Sequence, residues 1–94
     1  MSVKGHWYYH ENTSVRISTG EVVQVIRGDL LQLEENAKVK KELWGAVVVY
    51  LGYSLEYVAH TTAMNIRRMR LYYFDPITSS VSWTVPAAIK KIII

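Results

Sequence analysis

Three arginines, Arg67, Arg68 and Arg70, run directly into Leu71-Tyr72-Tyr73-Phe74. A guanidinium neutralises a phosphate and an exposed ring stacks on a base, so cations followed by aromatics along one segment suit a single-stranded or duplex nucleic acid. Lys90 and Lys91 add two further cations downstream. The expected interface therefore places Arg67, Arg68, Arg70, Lys90 and Lys91 on phosphates, with Tyr72 or Phe74 stacking. The competing reading is a solvated run of charge paired with Glu34, Glu35 and Glu42.

Other chemistry is thinner. His6 and His10 are spaced i,i+4 and Glu11 follows, but no third ligand stands in order, so no metal is expected. His60 is alone in an apolar segment and reads as a satisfied sheet residue. Glu56, His60 and Asp75 could be assembled into an acid and base set only by choice, since no G-x-S-x-G, H-E-x-x-H or glycine-rich phosphate loop is present. There is no cysteine, which removes thiolate nucleophiles, thiolate metal sites and disulfides. A non-enzymatic binding domain without a cofactor is expected, and the alternative to nucleic acid is protein–protein interaction or a homo-oligomeric accessory role.

The stretch Leu71-Tyr72-Tyr73-Phe74-Asp75 to Trp83-Thr84-Val85-Pro86 resembles the second half of a WW domain. Tyr72 and Tyr73, then Asp75, Thr78, Trp83 and Pro86, stand where that family has paired aromatics, Asn or Asp, Thr, its second Trp and a closing Pro. The resemblance implies that Tyr72 and Trp83 form a slot for a proline-rich peptide. It covers about sixteen of the 94 residues, Thr61 stands where the first Trp belongs, and Val81 replaces a frequent Thr. Read from the residues instead, the same stretch is an aromatic hairpin whose Trp83 faces the core.

The elements that must carry these residues follow from alternation and turn chemistry. Leu71 and Tyr73, with Val81, Trp83 and Val85, recur at period 2 and are expected to share the buried face, with Tyr72, Phe74, Ser82 and Thr84 pointing away. Asp75-Pro76 opens the turn between them. A second hairpin joins residues 15–18 to 22–26 through Gly20. Trp7 to His10 predicts a short strand. Residues 29–42 predict a helix, with Asp29 as cap, Gln32 completing a capping box and Leu30, Leu33, Ala37 and Trp44 as its stripe; alternation of Leu31 and Leu33 is the strand alternative. Residues 46–51 predict a strand buried on both faces or central in the sheet, turning at Gly52-Tyr53-Ser54 and returning through residues 55–60 as its partner. Thr61 or Thr62 starts a helical turn toward Met69, and Ile92-Ile93-Ile94 completes the sheet or docks on a partner subunit.

Ninety-four residues, half of them hydrophobic, make a single globular domain over 1–94. The net charge of +3 falls entirely after residue 47, where Arg67, Arg68, Arg70, Lys90 and Lys91 outweigh Glu56 and Asp75. The most apolar stretch, residues 44–64, is interrupted by Glu56 and His60 and reads as core, so no membrane span is expected. The beginning of the chain shows no secretory signal and cysteine is absent, which predicts a cytoplasmic protein. The expected class is β-rich α+β, a compact antiparallel sheet of about five to seven strands with one or two short helices.

Overall fold

The computed structural model describes residues 10–60 and 65–93, and the side chains of these except 57–60 and 65–67. The expected strand at Trp7 to Tyr9, the turn at Thr61 and Thr62, His6, Ile94 and the side chains of His60 and Arg67 lie outside what is described. The strands are β1 (Asn12–Arg16), β2 (Val22–Ile26), β3 (Leu30–Leu33), β4 (Val47–His60), β5 (Asn65–Asp75), β6 (Ser80–Thr84) and β7 (Ile89–Ile93). All neighbouring strands are antiparallel. They form a five-stranded sheet in the order β6-β5-β4-β3-β7 and a separate β1-β2 hairpin. The fold is thus β-rich and compact, as expected.

The helical half of the α+β expectation is not confirmed among the described residues. Among the described residues the only helical pieces are single 3₁₀ turns at Lys41–Leu43 and Pro86–Ala88. Leu30–Leu33 is a strand held between β4 and β7, and it buries Leu31 and Leu33 together. Pairing on both sides outweighs the capping signal. The Asp29 carboxylate accepts the Ile26 N–H instead of capping a helix, and the Asp29 carbonyl accepts the Tyr50 N–H. Residues 65–69, expected in a helical turn, belong to β5.

The hairpins expected at Gly20 and at Asp75-Pro76 form, but the return of residues 55–60 onto 46–51 does not: Val47–His60 is one continuous strand, bulged at Leu51 and paired along its length with β5. Gly20, at φ 91°, takes the left-handed conformation that its tight turn requires. The Asp75 carboxylate accepts the N–H groups of Ile77 and Thr78 and so closes the turn into β6. The tail completes the sheet, Ile92 opposite Leu31 and Ile93 opposite Leu30.

The core lies between the two sheets. Val15, Ile17 and Val25 of the hairpin meet Leu31, Leu33, Val48, Tyr50, Leu71, Tyr73 and Ile89 of the large sheet, each such burial contributing about 1.5–3 kcal/mol before entropy. Val39 and Leu43 fill the remainder from the β3–β4 loop. The hairpin is stitched down by the mutual His10–Tyr53 backbone bonds, by Gly28 N–H to the Tyr50 carbonyl and by Ser18 N–H to the Ile89 carbonyl, all at 2.9 Å.

β4 is central in the sheet, the second of the two expectations for residues 46–51, and it is not buried on both faces. Val48 and Tyr50 point inward while Val47 and Val49 stay exposed, so the large sheet keeps an open face. Facing also differs in β6. Leu71 pairs with Thr84, Tyr72 with Trp83 and Tyr73 with Ser82. Directly opposed residues share a face, so Thr84 and Ser82 join the core side and Trp83 stands on the open face.

Candidate functional site

Alternation along β5 puts Arg68, Arg70, Tyr72 and Phe74 on the open face. β6 adds Trp83 and Val81 opposite Tyr72 and Phe74. β4 adds Ser54 opposite Arg70 and Glu56 opposite Arg68. A bulge at Leu51 makes this possible, because Gly52, at φ 135°, follows it and resets which residues face outward.

These side chains form a connected cluster. The Arg70 guanidinium lies 4.3 Å from the Trp83 ring centroid, and Arg68 and Lys38 each lie 5.8 Å from it, within reach of a cation–π attraction. Glu56 takes Arg70 at 2.6 Å and Arg68 at 3.6 Å. Its carboxylate first, and the Tyr72 hydroxyl after it, raise the Arg70 pKa above the usual arginine value, against partial desolvation. Tyr72 is pinned further by a 2.9 Å bond between its hydroxyl and that of Ser54. The ring of Trp83 is therefore occupied, and the slot implied by the WW resemblance holds Arg70.

Phe74 is different. It is 39% exposed and sits in the middle of an apolar row that crosses all five strands: Val81, Phe74, Val49, Leu30 and Ile93, each directly opposite the next. Leu30 and Val49 are 38% and 37% exposed. A ring free for stacking thus lies beside a block of three cations and one carboxylate.

The expected basic cluster is only partly assembled. Arg68 and Arg70 come together with Tyr72 and Phe74, and their carboxylate partner is Glu56 instead of Glu34, Glu35 or Glu42. Lys90 and Lys91 lie on β7, three strands from β5, or about 14 Å at the usual strand spacing. Lys91 shares the open face, since it pairs with Gln32 and Gln32 with Val47. Lys90 occupies the irregularity in that pairing. Arg67 is placed by its backbone opposite Tyr57.

Two alternative chemistries do not converge. Glu56 is on the open face and Asp75 is buried beside Lys40 on the core side. Glu11 is engaged by Arg27 at 3.2 Å. Among the described residues no group of three metal-binding side chains comes together, and no helix is long and apolar enough to cross a membrane.

The WW resemblance set Trp83 beside Tyr72, whereas the reading from alternation turned it toward the core, and neither placed Lys38 or Glu56 at this site. The period of β5 was visible, whereas the identity of its neighbours across the sheet was not. Comparison with protein-family models, with curated proteins and with solved structures gives no match.

Proposed function

We propose that this chain is a binding module for single-stranded nucleic acid, acting through the open face of the five-stranded sheet and carrying out no catalysis of its own. The observation that carries the reading is that Phe74, with an exposed ring, shares an uncovered face with Arg68, Arg70 and Lys91. Flat sheet faces recognise unpaired bases by stacking them on aromatic side chains while flanking cations hold the backbone. Phe74 stacks a base. Arg70, held by Trp83 and Glu56, presents an already ordered guanidinium to a phosphate.

About three phosphate contacts imply a salt slope near −2, so affinity falls roughly twenty-fold between about 50 and 200 mM salt. Fluorescence anisotropy of labelled single- and double-stranded oligonucleotides over that range measures it. Phe74→Ala removes about 1–3 kcal/mol at every salt concentration and leaves the slope unchanged. Glu56→Gln frees one positive charge, so it tightens binding and steepens the slope. Absence of binding at low salt, or full affinity in Phe74→Ala, refutes the reading.

The apolar row supports a second reading, in which two copies pack their open faces as a sandwich. That contact is insensitive to salt, doubles the mass in light scattering and is abolished by Val49→Lys.

A further inference from the structure

Among the described residues, β2 and β7 are each hydrogen-bonded on one side only, β2 to β1 and β7 to β3. Their free edges wall a groove of about 590 Å³, with Ile17, Val23 and Ile92 in its lining and Glu21, Gln24 and Lys91 among its polar residues. The two walls run in the same direction. β2 leaves the turn at Ser18 and ends where the Asp29 N–H meets the Ile26 carbonyl; β7 begins where its Ile89 carbonyl accepts the Ser18 N–H and ends opposite Leu30.

The hydrogen-bond phase shows which backbone groups face the groove. Ile17 N–H bonds the Glu21 carbonyl and Arg27 N–H the Glu11 carbonyl. By alternation, the residues of β2 that turn away from β1 are Val22, Gln24 and Ile26. On β3, Glu34 N–H bonds the Ala88 carbonyl while Leu33 and Asp29 bond toward β4. Lys91 and Ile93 therefore pair with β3, and Ile92 points outward. The groove is closed at its ends, since Asp29 satisfies both Ile26 groups and Ser18 takes the Ile89 carbonyl. Among the described residues, the groove-side N–H and C=O of Val22, Gln24 and Ile92 have no backbone partner. They are donors and acceptors in strand register along two walls of five residues each.

We infer that this groove is a strand-addition site for an extended peptide of a partner protein. The peptide runs antiparallel to both walls, the better of the two pairings, and joins the two sheets into one through β1-β2-peptide-β7-β3. About five residues suffice for the roughly 17 Å of each wall. Alternate apolar side chains rest on Ile17, Val23 and Ile92, while a lysine among the outward ones meets Glu21 and a glutamate meets Lys91. A second copy is the poorer occupant, because pairing β7 with its own symmetry mate brings Lys90 and Lys91 against like charges.

The probe is a capped heptapeptide alternating valine with lysine and glutamate, titrated into the labelled full chain and followed by ¹H–¹⁵N spectra and amide exchange. The expected result is saturable shifts and slowed exchange at Val22, Gln24 and Ile92. The same peptide N-methylated at its two central residues binds about ten-fold more weakly, as loss of one or two hydrogen bonds requires. Gln24→Pro deletes a groove-side N–H that the β1 pairing does not use, and it weakens binding by a similar factor. Should that variant lose the hairpin, the N-methylated peptide against the unaltered chain still decides. No shifts at millimolar peptide, equal affinity of the N-methylated form, or shifts centred on Phe74 and Val49 overturn the assignment. So does a mass that rises with protein concentration through the β7 edge.

Discussion

Asp75 offers the most direct test of how the β5–β6 hairpin is held. Its Oδ1 accepts the Ile77 N–H at 2.8 Å and the Thr78 N–H at 3.3 Å, and its Oδ2 lies 2.5 Å from the Lys40 ammonium. The residue has no exposed surface, and desolvation takes back only part of what the partners supply. A charge-assisted N–H bond contributes about 1.5–3 kcal/mol and the longer one less; Lys40, with its ammonium still in water, adds little. Asp75→Ala is therefore expected to destabilise by about 2–4 kcal/mol. Asp75→Asn keeps the acceptor and loses the charge, for about half that loss. At about 4–8 °C per kcal/mol, the Asn variant melts roughly 5–15 °C lower at pH 7. Lys40 first, then the two backbone N–H groups, hold the Asp75 carboxyl below its usual range. A depressed folded pKa means that the stabilisation is complete above the unfolded value of about 3.9 and is lost as pH falls through the folded one. Thermal melts by circular dichroism from pH 7 to 2 should show a constant gap between wild type and Asp75→Asn down to about pH 5, closing below it. A gap that persists at pH 2, or none at pH 7, refutes the reasoning.

Leu31 is fully buried and its neighbour Leu30 is 38% exposed on the open face. Leu31→Ala should cost about 3–5 kcal/mol in urea unfolding and Leu30→Ala under about 1; the reverse order would restore the helix for residues 29–42. The buried hydroxyls of Tyr50 and Thr84 have no hydrogen-bond partner among the described residues. Tyr50→Phe and Thr84→Val should therefore be neutral or stabilising by up to about 1 kcal/mol, since each removes an unsatisfied group. Burial first, then the nearby Tyr53, also pushes the Tyr50 phenol above its ordinary pKa. Stability supplied by the neutral phenol is present below the unfolded value of about 10 and is lost as pH rises past it. Tyr50→Phe should accordingly lose less stability than wild type between about pH 10 and 11, as read by fluorescence melts.

The elements with local signals were legible. Gly20 and Asp75-Pro76 announce their turns chemically, and period-2 runs on either side leave little choice of structure. Residues 29–42 were misread because Asp29, Gln32 and the i,i+4 charge pairs satisfy helix rules locally. The pairings that override them, Leu30 with Val49 and with Ile93, come from strands about 20 and 60 residues away, and no local pattern encodes such contacts.

The candidate site shows the same limit more sharply, because one turn length and one bulge decide it. Alternation fixes which residues of one strand share a face, but the turn fixes how that face aligns with the next strand. Pro76 to Ser79 is a four-residue connection between paired Asp75 and Ser80, so odd residues of β5 oppose even residues of β6. One residue more or fewer would have put Trp83 on the core side, where its hydrophobicity suggested it belonged. Instead Thr84 is buried and Trp83 is held outside by Arg70. In β4 the bulge at Leu51 does the same: Tyr50 faces the core, and without the extra residue Glu56, six positions on, would face it as well. With the bulge, Glu56 reaches Arg68 and Arg70. Shortening the 76–79 turn by one residue, or deleting Leu51, should therefore dismantle the arginine–tryptophan cluster while leaving its residues unchanged, which composition and charge alone do not anticipate.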